Sequence, residues 1–135
     1  MIVKLDHLGI MVADLDAALR FYTETLGLEA GPVETREQPP IRRCCIRLGD
    51  AELELIEARD PEQTMMQFLP HRGPGLYHVG LRVDDVDACA AELSGAGVAL
   101  LDEQPREGED MRISYLAPAS ACGALLELVT RKKAD

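Results

Sequence analysis

The chain is poor in aromatic and in basic residues. It contains no Trp, aromatic residues make up 4% of its 135 residues, and 14 Lys and Arg stand against 24 Asp and Glu, a formal net charge of −10. Nucleic-acid binding depends on neutralising phosphates with Lys and Arg, so this balance argues against a nucleic-acid partner. With so few rings, aliphatic side chains must form most of the core of what we expect to be one domain, residues 1–135.

Long apolar segments and cysteine pairs are also missing. No apolar run approaches the roughly 20 residues that a helix needs to cross a bilayer. The N-terminus lacks the basic stretch and apolar core of a signal peptide. The four cysteines, Cys44, Cys45, Cys89 and Cys122, form no CxxC pair, which favours reduced thiols over a disulfide framework. We therefore expect a cytoplasmic protein without a membrane partner.

The two halves of the chain repeat each other. LDHLGIMVADLDAALRFY (residues 5–22) aligns without a gap with LYHVGLRVDDVDACAAEL (76–93), and AELELIE (51–57) aligns with ALLELVT (124–130). Such self-similarity indicates a duplicated supersecondary unit. The alignment places His7 on His78 and Glu54 on Glu127. A duplicated core needs repeated apolar positions, whereas a repeated His and Glu indicate one shared metal site.

Apolar periodicity and turn residues predict the order βαβββ in each half. In the first half we expect a strand over 4–12, a helix over 14–27, a loop over 29–40 with at most a short strand, and a hairpin of 43–48 with 51–57. In the second we expect a strand over 76–83, a helix over 85–96, and strands near 98–103, 111–116 and 124–130. The predicted fold is α+β, with two tandem βαβββ modules forming a curved open sheet. Module 1 covers about 1–62 and module 2 about 74–135, and the connecting segment 63–73 holds a short helix over 63–69.

Strand alternation decides which side of the sheet the repeated polar residues occupy. The opposite face of each strand carries apolar residues, and a single helix per module covers only that apolar side; these residues are Leu8 and Ile10, Leu53 and Leu55, Val79 and Leu81, and Leu126 and Leu128. His7, Glu54, His78 and Glu127 therefore fall on the uncovered side. Two imidazoles and two carboxylates suit Co²⁺, Zn²⁺, Ni²⁺ or Mn²⁺. A ligand set without cysteine argues against a closed structural zinc site.

Several arginines are predicted on the same uncovered side. Arg43 and Arg47 share one face of their strand, and Arg82 and Arg112 also take positions that no helix covers. One interpretation is an anionic substrate, because a guanidinium pairs well with a carboxylate or a phosphate. The other is that these arginines neutralise carboxylates of the sheet such as Glu52 and Glu54.

With repeated His and Glu residues on paired βαβββ units, the chain resembles the vicinal oxygen chelate superfamily over residues 5–128, and within it most resembles methylmalonyl-CoA epimerases. The segments FLPHRGPGLYH (68–78) and LLDEQPR (100–106) carry the resemblance to epimerases most specifically. The order His, Glu, His, Glu is shared with glyoxalase I enzymes. A glyoxalase I-type lactoylglutathione lyase and a non-catalytic small-molecule-binding member of the superfamily are therefore alternatives.

The resemblance implies that His7, Glu54, His78 and Glu127 bind one divalent metal ion, and that Glu127 is also a catalytic base. It implies an isomerase that interconverts the 2R and 2S forms of methylmalonyl-CoA, or of a closely related malonyl thioester, by α-proton abstraction through a metal-stabilised enolate. The expected partner is an acyl-CoA substrate, and the expected assembly is a homodimer. The chain departs from the epimerase pattern at Arg43, where some members carry a carboxylate.

Overall fold

The computed structural model describes residues 1–60, 73–108 and 110–132, and the described residues fold into strands and helices in the order βαβββ, twice. The strands are β1 (Ile2–Met11), β2 (Ala30–Glu37), β3 (Pro40–Leu48), β4 (Ala51–Ala58), β5 (Gly75–Val83), β6 (Arg106–Glu107), β7 (Met111–Leu116) and β8 (Leu126–Arg131). The helices are α1 (Leu15–Arg20), which continues into a π-helical turn (Phe21–Thr25), and α2 (Val86–Gly95). The predicted α+β fold with two βαβββ modules is confirmed. The predicted helix over 63–69 lies outside the described residues.

The chain divides into two compact units, which we call unit I (residues 8–77) and unit II (residues 1–7 and 78–135). In unit I the strand order is β2-β3-β4-β1, and in unit II it is β1-β5-β8-β7-β6. Neighbouring strands β3 and β4, and likewise β7 and β8, are antiparallel, whereas β5 and β8 are parallel. A parallel pair needs a long crossover connection, and α2 lies within that connection. The single domain with modules 1–62 and 74–135 stays a prediction.

Equivalent aspartates begin the two helices. The side chain of Asp14 accepts a hydrogen bond from the backbone N–H of Ala17 at 3.2 Å, and Asp85 does the same for Ala88 at 3.1 Å. Each bond satisfies a backbone donor that the first helical turn leaves without a partner. The repeat seen in the sequence therefore includes the N-terminal caps of the two helices.

Among the described residues, no helix is long and apolar enough to cross a membrane.

Each helix covers the apolar side of its strands, as alternation predicts. In unit I the buried cluster consists of Leu15, Cys44, Ile46 and Leu55, with Ile10, Val12 and Leu53 packed against it. In unit II the cluster consists of Val83, Val86, Cys89, Leu116 and Leu128, with Leu81 and Leu126 packed against it. Because Leu126 and Leu128 pack in this cluster, Glu127 between them points away from α2.

Two predicted elements differ from the structure. Residues 30–37 form the eight-residue strand β2, which is longer than the short strand expected within a loop. Pro32 is tolerated because β2 is the last strand in its order and its register shifts between Ala30 and Val33. The predicted strand near 98–103 is reduced to one bridge between Leu100 and Leu116. Its apolar residues Val98 and Leu100 instead pack against the core of unit II. The first strand after α2 is instead the two-residue β6.

Candidate metal centre

Three of the predicted metal ligands converge in unit II. His7 Nε2 lies 2.8 Å from His78 Nε2 and 3.0 Å from Glu127 Oε1, and His78 Nε2 lies 3.8 Å from Glu127 Oε2. All three residues are buried, none being more than 3% exposed. The strands explain the convergence, because Gly80 pairs with Glu127 between β5 and β8, and His78 precedes Gly80 by one strand repeat.

The spacing of these donor atoms suits a divalent ion. Metal–ligand bonds of 2.0–2.2 Å place neighbouring ligand atoms about 3.0 Å apart in an octahedron and about 3.4 Å apart in a tetrahedron. The observed separations of 2.8, 3.0 and 3.8 Å bracket those values. Two imidazole nitrogens and a carboxylate are also a ligand set that first-row divalent ions accept. The residues present therefore fit the metal that the sequence predicts.

Asp6 sets the orientation and the tautomer of His7. Its Oδ2 lies 2.6 Å from His7 Nδ1, and a carboxylate oxygen accepts a proton from that nitrogen. In the neutral ring the proton then occupies Nδ1, so Nε2 presents its lone pair to the cluster. A carboxylate behind a ligating histidine is the usual arrangement that raises the basicity of the ligand and holds its ring in place.

Two arginines hold Asp6 in turn. Arg82 donates from Nη2 to Oδ1 at 2.6 Å, and Arg131 donates from Nη2 to Oδ2 at 2.7 Å. Burial alone would raise the pKa of Asp6, but hydrogen bonds from His7, Arg131 and Arg82 hold it well below its usual range. Asp6 is therefore an ionised carboxylate that is 1% exposed. Such a charge is stable in a protein interior only when paired in this way.

Gly80 provides the space for the His7 ring. A Cβ atom built on Gly80 would lie 2.5 Å from His7 Nδ1 and 2.7 Å from His7 Nε2. Real Cβ atoms essentially never come closer than 3.0 Å to another heavy atom. Only glycine therefore leaves the ring where it is. The alignment of the two halves places Gly9 on Gly80, and at Gly80 this repeated glycine makes room for a residue of the site.

Glu127 is the buried carboxylate of the cluster. Burial alone would raise the pKa of Glu127, but its contacts with His7, the charge of His78 and a hydrogen bond with Tyr115 lower it to about 2. Tyr115 lies opposite Glu127 in the pairing of β7 with β8, and its ring packs edge-to-face on His78 with the centroids 6.0 Å apart. Glu127 is thus ionised at neutral pH and can ligate a cation or accept a proton.

Glu54, the fourth predicted ligand, belongs to unit I. It lies on β4 and accepts a hydrogen bond from Arg43 Nε at 2.6 Å. Its assignment to the metal rests on the sequence repeat, which places Glu54 on Glu127.

The four arginines predicted to bind substrate all have carboxylate neighbours. Arg43 pairs with Glu54 and Glu34, Arg82 with Asp6, and Arg112 with Asp87 and Glu107, whereas the more exposed Arg47 approaches Glu52 only to 4.0 Å. These are the pairs that the neutralisation interpretation expects. Anion binding by these arginines stays a prediction.

The sequence reasoning missed three residues that support the cluster, namely Asp6 against His7, Tyr115 against His78 and Glu127, and Arg131 against Asp6. Alternation assigns Asp6 and His7 to opposite sides of β1, yet both are buried and in contact. The burial of both Asp6 and His7 departs from strand alternation, and no pattern in the sequence predicts it. Arg131 and Tyr115 depend on strand pairing in unit II. The one available signal was the adjacency of Asp6 to His7.

The fold and the cluster define a class of protein with a candidate metal site on duplicated βαβββ modules. The model of the Glyoxalase/Bleomycin resistance protein/Dioxygenase superfamily matches residues 6–115, and the chain belongs to this superfamily. Within the superfamily, the similar proteins include several epimerases. The chain is 30% identical over 132 residues to the ethylmalonyl-CoA/methylmalonyl-CoA epimerase of Cereibacter sphaeroides, covering 95% of this chain and 98% of the relative.

Solved structures of epimerases match the whole fold. The methylmalonyl-CoA epimerase of Streptomyces coelicolor in complex with 2-nitronate-propionyl-CoA superposes with a TM-score of 0.89 at 33% identity, covering 98% of this chain and 100% of that one. The methylmalonyl-CoA epimerase of Mycobacterium tuberculosis gives a TM-score of 0.85 at 36% identity, covering 95% of this chain and 87% of that one.

Proposed function

We propose that this protein is a metal-dependent epimerase that interconverts the 2R and 2S forms of methylmalonyl-CoA or of a closely related malonyl thioester. The observation that carries the proposal is the buried convergence of His7 Nε2, His78 Nε2 and the Glu127 carboxylate within 2.8–3.8 Å. The similarity to proteins named methylmalonyl-CoA epimerase supports the choice of substrate class.

His7, His78 and Glu127, joined by Glu54 from the repeat, are the residues that would hold the ion. A divalent ion bound there supplies a Lewis acid that stabilises negative charge developing on a carbonyl oxygen. His7 is held ready by Asp6, and His78 is packed against Tyr115. Asp6 and Tyr115 would therefore fix the orientations of the His7 and His78 rings before the ion binds.

Glu127 is the proposed base. Its ionised carboxylate accepts the proton from the α-carbon of the thioester, and the electron pair of the broken C–H bond moves into the enolate. Inversion requires that a proton return to the opposite face of that carbon. Strand β3 (PIRRCCIRL) contains no carboxylate that would donate it, because Arg43 occupies the position used by some relatives.

The finer parts of the proposal rest on the ligand chemistry and the sequence patterns as well as on the resemblance. The ion is one of Co²⁺, Zn²⁺, Ni²⁺ and Mn²⁺, the assembly is a homodimer, and the protein acts in the cytoplasm. Arg43, Arg47, Arg82 and Arg112 remain candidate substrate-binding residues, with Arg47 the most available because its side chain is 57% exposed. Elemental analysis of chelator-free protein and analytical ultracentrifugation test the metal and the assembly.

Exchange of the α-hydrogen tests the proposed reaction. Methylmalonyl-CoA incubated with the protein in D₂O should gain one deuterium at the α-carbon, and Glu127→Gln should lose this activity. Glu92→Gln, an exposed carboxylate on α2, is the matched control and should exchange at the wild-type rate. Metal-loaded protein that exchanges nothing, but converts a glutathione hemithioacetal to lactoylglutathione, would replace the epimerase by the lyase alternative.

A further inference from the structure

Arg43 is a buried arginine that takes no part in the proposed proton transfer. It lies on β3, directly opposite Glu34 of β2, and one strand repeat from Cys45, which lies opposite Glu54 of β4. Arg43 and Glu54 are therefore diagonal neighbours on one face of the sheet, within reach of a long side chain. Arg43 is 8% exposed, so water screens its contacts little.

The guanidinium is fixed at three points inside unit I. Nε donates to Glu54 Oε2 at 2.6 Å, Nη1 donates to Glu34 Oε1 at 3.0 Å, and Nη2 donates to Cys45 Sγ at 3.0 Å. Burial alone would lower the pKa of Arg43, but the charge of Glu54 raises it above its ordinary value. Burial raises the pKa of Cys45 to about 12, so its sulfur is a neutral thiol at physiological pH. Glu34 and Cys45 anchor the arginine, and the arginine orients Glu54.

We propose that Arg43 is a positioning residue that holds the Glu54 carboxylate in the orientation in which it binds the metal. The inference rests on the proposed role of Glu54 as a ligand. A free Glu side chain loses rotamer entropy when it is fixed. Arg43 fixes it in advance, as the hydrogen-bonded partners of ligating carboxylates generally do, and losing such a partner costs about 10–100-fold in metal affinity.

A purely neutralising role of Arg43 predicts a change in metal affinity in the opposite direction. If Arg43 merely neutralised Glu54, the ion would have to compete with a guanidinium for that carboxylate. Removing Arg43 would then tighten metal binding instead of weakening it. The direction of the change in affinity therefore separates positioning from competition.

Metal affinity of the folded chain is the readout. Dissociation constants for Co²⁺ and Zn²⁺ are measured by competition with a chromophoric chelator, and the visible absorption of bound Co²⁺ reports its ligand geometry. The variants are Arg43→Met, Arg43→Lys, Glu54→Gln, and the double variant that combines Arg43→Met with Glu54→Gln. Arg47→Met is the matched control, since Arg47 is on the same strand and face but mostly exposed.

Arg43→Met should weaken binding by about 10–100-fold. Arg43→Lys should lose less, about threefold or more, because an ammonium keeps the charge but not the planar donor set. Arg47→Met should leave the affinity unchanged. In the Glu54→Gln background, Arg43→Met should have little further effect, and the Co²⁺ spectrum should change with Arg43→Met but not with Arg47→Met.

Unchanged or tighter binding by Arg43→Met would overturn the inference. If Glu54→Gln weakens binding while Arg43→Met does not, only the positioning role fails. If Glu54→Gln leaves the affinity unchanged, Glu54 is not a ligand, and the inference falls together with that part of the proposed function. Should Arg43→Met not fold, Arg43→Lys decides, and wild-type affinity in that variant is the contradicting result.

Discussion

Replacing Gly80 by alanine should displace the ring of His7, a proposed metal ligand. The added Cβ would lie 2.5 Å from His7 Nδ1 and 2.7 Å from Nε2, while ordinary contacts begin at about 3.5 Å. The ring must therefore retreat by about 1 Å, and Nε2 leaves the positions 2.8 and 3.0 Å from His78 and Glu127. A misplacement of about 1 Å at a reacting group costs roughly 100-fold in rate. We expect Gly80→Ala to lose about that factor in α-hydrogen exchange and to bind metal more weakly.

The same substitution should also cost stability, because inserting a methyl group into a packed site costs about 1–3 kcal/mol. Urea unfolding of the metal-free protein measures this cost. Gly95→Ala is the control: Gly95 ends α2, and a Cβ added there would meet no heavy atom within 4 Å, so alanine should be neutral or stabilising by as much as about 1 kcal/mol. In a His7→Ala background the cost of Gly80→Ala should largely vanish. Wild-type metal affinity in Gly80→Ala would refute the reasoning.

Four further substitutions test the residues around the site and the helix caps. Asp6→Asn removes the negative charge that two partly buried arginines, Arg82 and Arg131, pair with. It should lower the free energy of unfolding in urea by about 3–5 kcal/mol and weaken metal binding, measured by chelator competition, by about 10–100-fold. An unchanged metal affinity would contradict the orientation of His7 by Asp6. Tyr115→Phe keeps the ring on His78 but removes a hydrogen bond to Glu127, which should cost about 1.5–3 kcal/mol by the same unfolding assay, and no cost would mean that the hydroxyl is dispensable. Asp14→Ala and Asp85→Ala each remove a helix cap and should each cost about 1 kcal/mol without changing metal affinity, so a loss of affinity would show that the caps act on the site.

The repeat in the sequence predicted the convergence of His7, His78 and Glu127 because duplication carries each residue to an equivalent place in its module. Alternation then predicted correctly which side of the strands the helices cover, since Leu126 and Leu128 pack in the core of unit II. These two regularities are properties of the backbone and need no knowledge of side-chain contacts. The repeat and the alternation together therefore predicted that His7, His78 and Glu127 lie close to one another.

What the sequence did not predict depends on contacts between distant residues. Asp6 reaches His7 against the expected alternation, and its other partners, Arg82 and Arg131, lie 76 and 125 residues away along the chain. The length of strand β2 was underestimated because Pro32 normally interrupts a strand, and the edge position of β2 makes this proline compatible with the sheet. The charged pairs of an acidic sheet are likewise set by register, so residue type alone left two interpretations of Arg43 open.

Titration of metal-free protein with a divalent ion, followed by α-hydrogen exchange, tests the central claim most directly. Protein stripped with a chelator is incubated with methylmalonyl-CoA in D₂O while Co²⁺ is added in steps. We predict no exchange without the ion, a linear rise as the ion is added, and a break at one ion per chain. Full exchange in the stripped protein, or no recovery after one equivalent has bound, would contradict a metal-dependent proton transfer at His7, His78 and Glu127.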